Sequence, residues 1–263
     1  MKRLPWRTIA AVAPAAAILL IALWELWATF AVARGVAGDH DWAAAAAEVR
    51  AGRRPGDLIV FAPRWVDPVG RHELGDLIPI EVAGRMDAAR FARVWEVSVR
   101  EASAPEVRGA RRVSSRWHGG VRVRLYEQTP VRVKTDFVAS FAAAQGGGAT
   151  AILEEVGFQP HRCVRAEPPV GGSLRVVWPS AELGRSIVGY VGLADVFTRR
   201  DIRAPGTLEL LVGGQRAARV TVGVDDGWVR FEAPTTPGRA EVAFVASADA
   251  PRRLICFAAE ARE

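Results

Sequence analysis

The sequence predicts an α+β protein in three parts: an N-terminal transmembrane helix, a small Rossmann-like α/β domain and a C-terminal antiparallel β-sandwich of jelly-roll type. Three observations predict it. One apolar run near the N-terminus is long enough to cross a bilayer, helical and strand patterns alternate after it, and the C-terminal stretch is a dense series of short alternating segments divided by Gly, Pro and Asp. The expected boundaries are 1–34 for the anchor, 35–135 for the α/β domain, 136–150 for a linker and 151–263 for the sandwich.

The first element is set by charge and length. Lys2, Arg3 and Arg7 precede an apolar run from Thr8 to Ala33 that only Glu25 interrupts. The run is about 26 residues, and about 20 helical residues cross a hydrocarbon core. The basic flank predicts a cytoplasmic N-terminus and a single pass through the inner (plasma) membrane, with the bulk of the chain periplasmic. Trp24 and Trp27 suit an interfacial belt near the outer end. The alternative is a cleaved signal, with Ala31-Val32-Ala33 as the small-residue site and secretion as the outcome. Both readings export the remainder.

In residues 35–135, Asp39 or Asp41 can cap an alanine-rich helix from Trp42 to Ala51, which Gly52 and the Arg53-Arg54-Pro55-Gly56 turn end. Asp57 to Ala62 is a nearly continuous apolar run, as in a strand covered on both faces. Asp87 to Arg90 suggests a helical turn, Phe91 to Arg100 a second strand, and Gly120 to Glu127 a third with strict alternation. Helix then strand, repeated, suggests half of a Rossmann-like sheet, although no GxGxxG follows a strand and a dinucleotide has no support. Phe137, Phe141, an alanine run and Gly146-Gly147-Gly148 look like a linker.

Beyond it, strands are expected at Leu174–Trp178, Ser186–Gly192, Gly206–Val212, Gln215–Val222, Gly227–Glu232, Gly238–Ala246 and Arg253–Ala259. Cys163 and Cys256 bracket this β region. In an exported chain they are expected to pair, closing a loop of about 90 residues and stabilising by roughly 4 kcal/mol at most. Two free buried thiols are the alternative.

The stretch Asp41-Trp42, the alanine helix, Pro55-Gly56-Asp57, the strand to Phe61, Ala62-Pro63 and Trp65, then Arg93-Val94-Trp95 resembles the soluble C-terminal tail of membrane glycosyltransferases of the dolichyl-phosphate-mannose type. The resemblance covers about a quarter of the chain. It implies an extracytoplasmic α/β accessory domain near membrane glycosylation machinery. The family's catalytic acids lie in a loop between transmembrane helices, and none of them has a counterpart among these residues. The C-terminal region is similar to carbohydrate-binding jelly rolls in strand spacing alone, and architecture does not fix function.

The formal charge is +6, almost all of it arginine, since only Lys2 and Lys134 are lysine. That bias looks like the habit of a GC-rich genome, and no nucleic-acid partner is expected. The excess is local: Arg108, Arg111, Arg112, Arg116, Arg122, Arg124, Arg132 and Lys134 oppose only Glu106 and Glu127 nearby. Such a patch can meet anionic headgroups or polyanionic glycans, or be a solvated strand edge.

Catalytic signals are sparse. His40, His72, His118 and His161 show no metal spacing, and neither GxSxG nor a Cys/His cluster occurs, so no catalytic residue, metal or cofactor is expected. Trp228 beside Asp225 and Asp226 combines a stacking ring with hydroxyl-binding carboxylates, and Arg199, Arg200 and Asp201 lie in a charged loop able to hold an anion. These six are the candidate ligand residues. The function expected is a non-catalytic, single-span envelope protein whose exported part serves binding or assembly, with glycan or a membrane glycosyltransferase as partner. One alternative is an envelope glycan-active enzyme drawing carboxylates from Asp195, Asp201, Asp225 and Asp226. The other is a purely structural partner of a membrane complex.

Overall fold

The computed structural model describes residues 6–34, 36–194 and 203–263. Helix α1 (Trp6–Arg34) carries the apolar stretch Ala13–Val32, none of it packed against the rest of the chain. Twenty residues at a rise of about 1.5 Å make about 30 Å, a bilayer's hydrocarbon thickness. Trp24 and Trp27 lie side by side, ring centroids 5.2 Å apart.

Helix α2 (Asp39–Gly52) buries Trp42, Ala45, Ala46 and Val49, which the 3.6 period places on one face. The Asp41 carboxylate accepts the N–H of Gly38 at 3.2 Å and that of Gly120 at 3.0 Å, tying the helix start to the sheet. These two amides hold the Asp41 carboxyl below its ordinary pKa. Strand β1 (Leu58–Ala62) is buried along its whole length. Two short helices, α3 (Asp67–Leu74) and α4 (Ile80–Ala83), lead to β2 (Arg93–Val99), which pairs parallel with β1. Then follow β3 (Arg111–His118) and β4 (Val121–Glu127) in a sheet of order β1-β2-β4-β3.

The Rossmann-like expectation needs correction here. Only β1 and β2 are parallel, and β4 is antiparallel to both β2 and β3. The turn Gly119-Gly120 explains this, because a two-residue connection can join only antiparallel neighbours. The expected helix at Asp87–Arg90 is instead a turn in which the Asp87 carboxylate accepts the Ala89 N–H at 2.9 Å. Residues of the segment from Gly52 to Trp95 converge in packing. The Asp57 carboxylate accepts the Trp95 indole N–H at 2.9 Å and the Arg54 amide at 2.9 Å, and a Cβ at Gly52 would meet the Trp95 ring at 2.7 Å.

The remainder is a sandwich of two antiparallel sheets. One is ordered β11 (Gln215–Val222), β10 (Gly206–Val212), β13 (Gly238–Ala248), β8 (Gly172–Leu183). The other runs β12 (Val229–Pro234), β9 (Ser186–Leu193), β14 (Ile255–Arg262), β7 (Gln159–Ala166), β6 (Ala149–Val156), with β5 (Val133–Asp136) also on β14. Each of the seven strands expected from sequence lies on one of these. Segment 136–150, expected as a linker, packs into the sandwich instead. Phe137 is fully buried, edge-on to Trp178 and Phe244 at 5.2 and 5.3 Å, because its large apolar surface is worth more inside the core than in a connector. Cys163 on β7 and Cys256 on β14 form the disulfide.

The two parts are locked by charge. Buried Arg262 donates to Asp87 at 2.8 Å and to Glu260 at 2.8 Å, and Arg90 donates to Glu260 at 2.6 Å and pairs with Asp136. Burial raises the Glu260 pKa in spite of both arginines.

Candidate binding cleft

The segment 84–90 wedges between the α/β sheet and the sandwich, and a cleft opens on each side of it. In the smaller, about 580 Å³, Arg90, Asp136 and Glu260 are already bonded to one another. The larger is about 850 Å³. One wall is the segment leaving the carboxyl end of β1, with Arg64, Trp65 and Asp67. Arg85, Glu106 and Arg108 follow, and the opposite wall is sandwich: Phe158, His161, Tyr190 and Trp228.

The aromatic side chains differ in exposure. Trp65 is 61% exposed, with the Arg100 guanidinium 5.4 Å over its ring. Phe158 is 76% exposed and sits in the two-residue turn between β6 and β7, at φ 66° after Gly157 at φ 61°. Both positions of such a turn favour Gly or Asn, so a bulky ring there is a strained choice of the kind that clusters at functional surfaces. Trp228 lies parallel to His161 at 4.3 Å and to Tyr190 at 6.0 Å, and its indole N–H is donated to the Met86 carbonyl at 3.2 Å. It is a wall of the cleft fixed across the two parts, with much of its surface taken.

The charges sort in the same way. Four arginines and three carboxylates line the cleft. Arg71 holds Asp67, Arg85 holds Glu106 at 3.0 Å, and Arg262 holds Asp87. Desolvation lowers the Arg85 pKa against the pull of Glu106. Among the described residues, Arg64 and Arg108 have no ion-pair partner and remain available to an anion. His161 is buried and its pKa is pushed down to about 4, chiefly by desolvation, so it is neutral near pH 7. Its Nδ1 lies 3.4 Å from the Arg85 carbonyl, which makes Nδ1 the protonated nitrogen and leaves Nε2 a buried acceptor without a partner among the described residues.

Of the six residues singled out from sequence, Trp228 lines this cleft and Asp225 and Asp226 do not. Asp225 is an exposed partner of Arg203, and Asp226 accepts the Gly223 N–H at 2.7 Å within its own turn. Arg199, Arg200 and Asp201, with Asp195, lie outside the described residues. Arg64 and Phe158 were not assigned a site by sequence, whereas Arg108 belongs to the basic patch expected to meet a polyanion. The one local signal was an aromatic in a Gly-x hairpin turn.

No protein-family model matches the chain, and no curated protein matches it. Among solved structures it is similar to the CBM51 module from Clostridium perfringens GH95 in complex with methyl-galactose, with 12% identity and a TM-score of 0.32 over 44% of this chain and 86% of that one. It is also similar to the carbohydrate-binding module CBM36 in complex with calcium and xylotriose, with 10% identity, TM-score 0.32, and 49% and 98% of the two chains covered. A third, the mannan-recognising TmCBM27, shows 12% identity and TM-score 0.30 over 51% and 96%. At this level of likeness the ligands in those structures say nothing about this chain, whose binding chemistry has to come from its own cleft.

Proposed function

We propose that this is a non-catalytic, single-span envelope protein that binds an anionic glycan in the larger cleft. The anchor is α1, retained in the membrane with the bulk of the chain outside the cytoplasm. The observation that carries the reading is the placing of two exposed aromatic side chains, Trp65 and Phe158, in one cleft with two arginines, Arg64 and Arg108, that no carboxylate neutralises among the described residues. Pyranose rings pack on aromatic faces, and a guanidinium takes a uronate carboxylate or a phosphate through two parallel hydrogen bonds. Hydrolysis has no support from the same geometry. Each cleft carboxylate is already engaged by an arginine, Asp67 by Arg71, Glu106 by Arg85 and Asp87 by Arg262, and no pair of them stands open to a glycosidic bond.

The test is binding of the full chain, held in detergent micelles, to an array of acidic and neutral oligosaccharides. We expect acidic glycans to be retained and neutral ones not. Trp65→Ala and Arg64→Ala should each weaken binding by about tenfold or more, the worth of one charged hydrogen bond or one stacked ring. Equal retention of neutral glycans, or binding indifferent to both substitutions, overturns the reading.

A further inference from the structure

The arginine-rich strand β3 is not absorbed by the cleft. We propose that the β3–β4 hairpin lies against the membrane that holds α1 and contacts its anionic phospholipid headgroups. The inference rests on α1 being a retained anchor.

Three observations carry it. The hairpin tip is tethered beside the anchor: Gly120 donates its N–H to Asp41 at 3.0 Å, and a Cβ on Gly120 would lie 2.9 Å from the Cα of Ala37. Ala37 follows the last residue of α1, Arg34, by three positions. Three extended residues reach at most about 11 Å, so the tip stays within reach of the headgroup layer whatever the angle of the anchor. Second, β3 is an edge strand on which Arg111 through Trp117 are all exposed. Arg111 and Arg122 have carboxylate partners in Glu127 and Glu101, whereas Arg112 and Arg116 have none among the described residues. Third, Trp117, 45% exposed next to the tip, has the Arg122 guanidinium 5.1 Å over its ring. An amphipathic indole among arginines is the side-chain set favoured at a membrane–water interface. An exposed sheet edge also invites pairing with another chain, and covering it with lipid headgroups removes that exposure.

The full chain is reconstituted in nanodiscs of phosphatidylcholine alone or with phosphatidylglycerol, and backbone hydrogen exchange is followed over residues 111–120. Exchange should slow by about thirtyfold in the anionic discs, the scale set by two arginines near a charged surface. About 0.5 M salt should reverse it, because screening then acts within a few ångströms. The double variant Arg112→Glu/Arg116→Glu should stay in the discs and lose the protection. Identical exchange in the two lipid compositions, with the chain still in the discs, overturns hairpin docking and leaves the anchor intact. Protection by an added acidic oligosaccharide in solution and not by phosphatidylglycerol assigns the strand to glycan and also overturns it. A chain that does not enter discs at all overturns the anchor, and the docking with it.

Discussion

His161 is buried as a neutral imidazole stacked on Trp228, and this fixes how stability answers to acid. Its folded pKa is about 4 against 6.5 for the ordinary side chain. Between those values the unfolded chain binds a proton that the folded chain refuses, so this contribution to stability rises with pH and is lost as pH falls from about 7 toward 4. By pH 5 the loss is about 2 kcal/mol, at 1.36 kcal/mol per pKa unit. Denaturant unfolding at pH 7 and pH 5 should therefore show a drop in the wild type that is smaller by that amount in His161→Phe, which keeps a ring against Trp228. Asp41, whose carboxyl is depressed, contributes stability that is complete above about pH 4 and fades only below it, so it does not enter this window. Equal drops in both proteins would place the acid sensitivity elsewhere.

At the scale of elements, β7 is the strand on which the cleft wall and the covalent framework meet. It carries His161, follows the Phe158 turn and is joined through Cys163 to Cys256 on β14, 93 residues away in sequence. Closing a loop of that length constrains the unfolded chain by roughly 4 kcal/mol in the chain-entropy account. The Cys163→Ala/Cys256→Ala double variant should lose stability on that scale in denaturant unfolding, and a loss below about 1 kcal/mol would mean that the reference chain is already compact. The disulfide was the favoured of two readings, free buried thiols being the other, because the two cysteines bracket a single β region. Strands such as Gly206–Val212 and Gln215–Val222 were legible too, since their alternation and the Gly213-Gly214 turn act locally. β6 and β7 were not. β6 is an exposed edge with little apolar alternation, and Pro160, His161 and Arg162 interrupt the pattern of β7. The antiparallel pairing of β4 with β2 and the burial of Phe137 are tertiary outcomes, which no window of neighbouring residues encodes. The cleft was hidden for the same reason. Its residues come from 59–71, 83–89, 105–108, 128, 157–161, 190 and 228, and they share no spacing until the two parts dock.

That docking makes the molecule one unit, and it can be broken without touching the cleft aromatics or the free arginines. Arg262 is the pivot: its side chain is 8% exposed, and it serves Asp87 of the α/β part and Glu260 of the sandwich together. Removing one partner of a buried ionic set leaves the others uncompensated and costs about 3–5 kcal/mol. Arg262→Ala takes the cation from two carboxylates, of which Glu260 is already held uncomfortably, its pKa raised by burial. Its remaining cation is Arg90, which also serves Asp136. Because Asp87 belongs to the wedge that separates the clefts, the loss should loosen the junction itself and not either core, whose hydrophobic clusters are distinct. In calorimetry the wild type should unfold the α/β part and the sandwich in one transition, and Arg262→Ala should split it into two. Acidic-glycan binding should weaken in parallel, although Arg262 does not line the cleft, because Trp65 and Phe158 stand on opposite sides of the junction. A single transition with unchanged binding would mean that Arg90, the Trp228–Met86 hydrogen bond and the bond from the Arg162 amide to the Gly84 carbonyl hold the two parts together without Arg262.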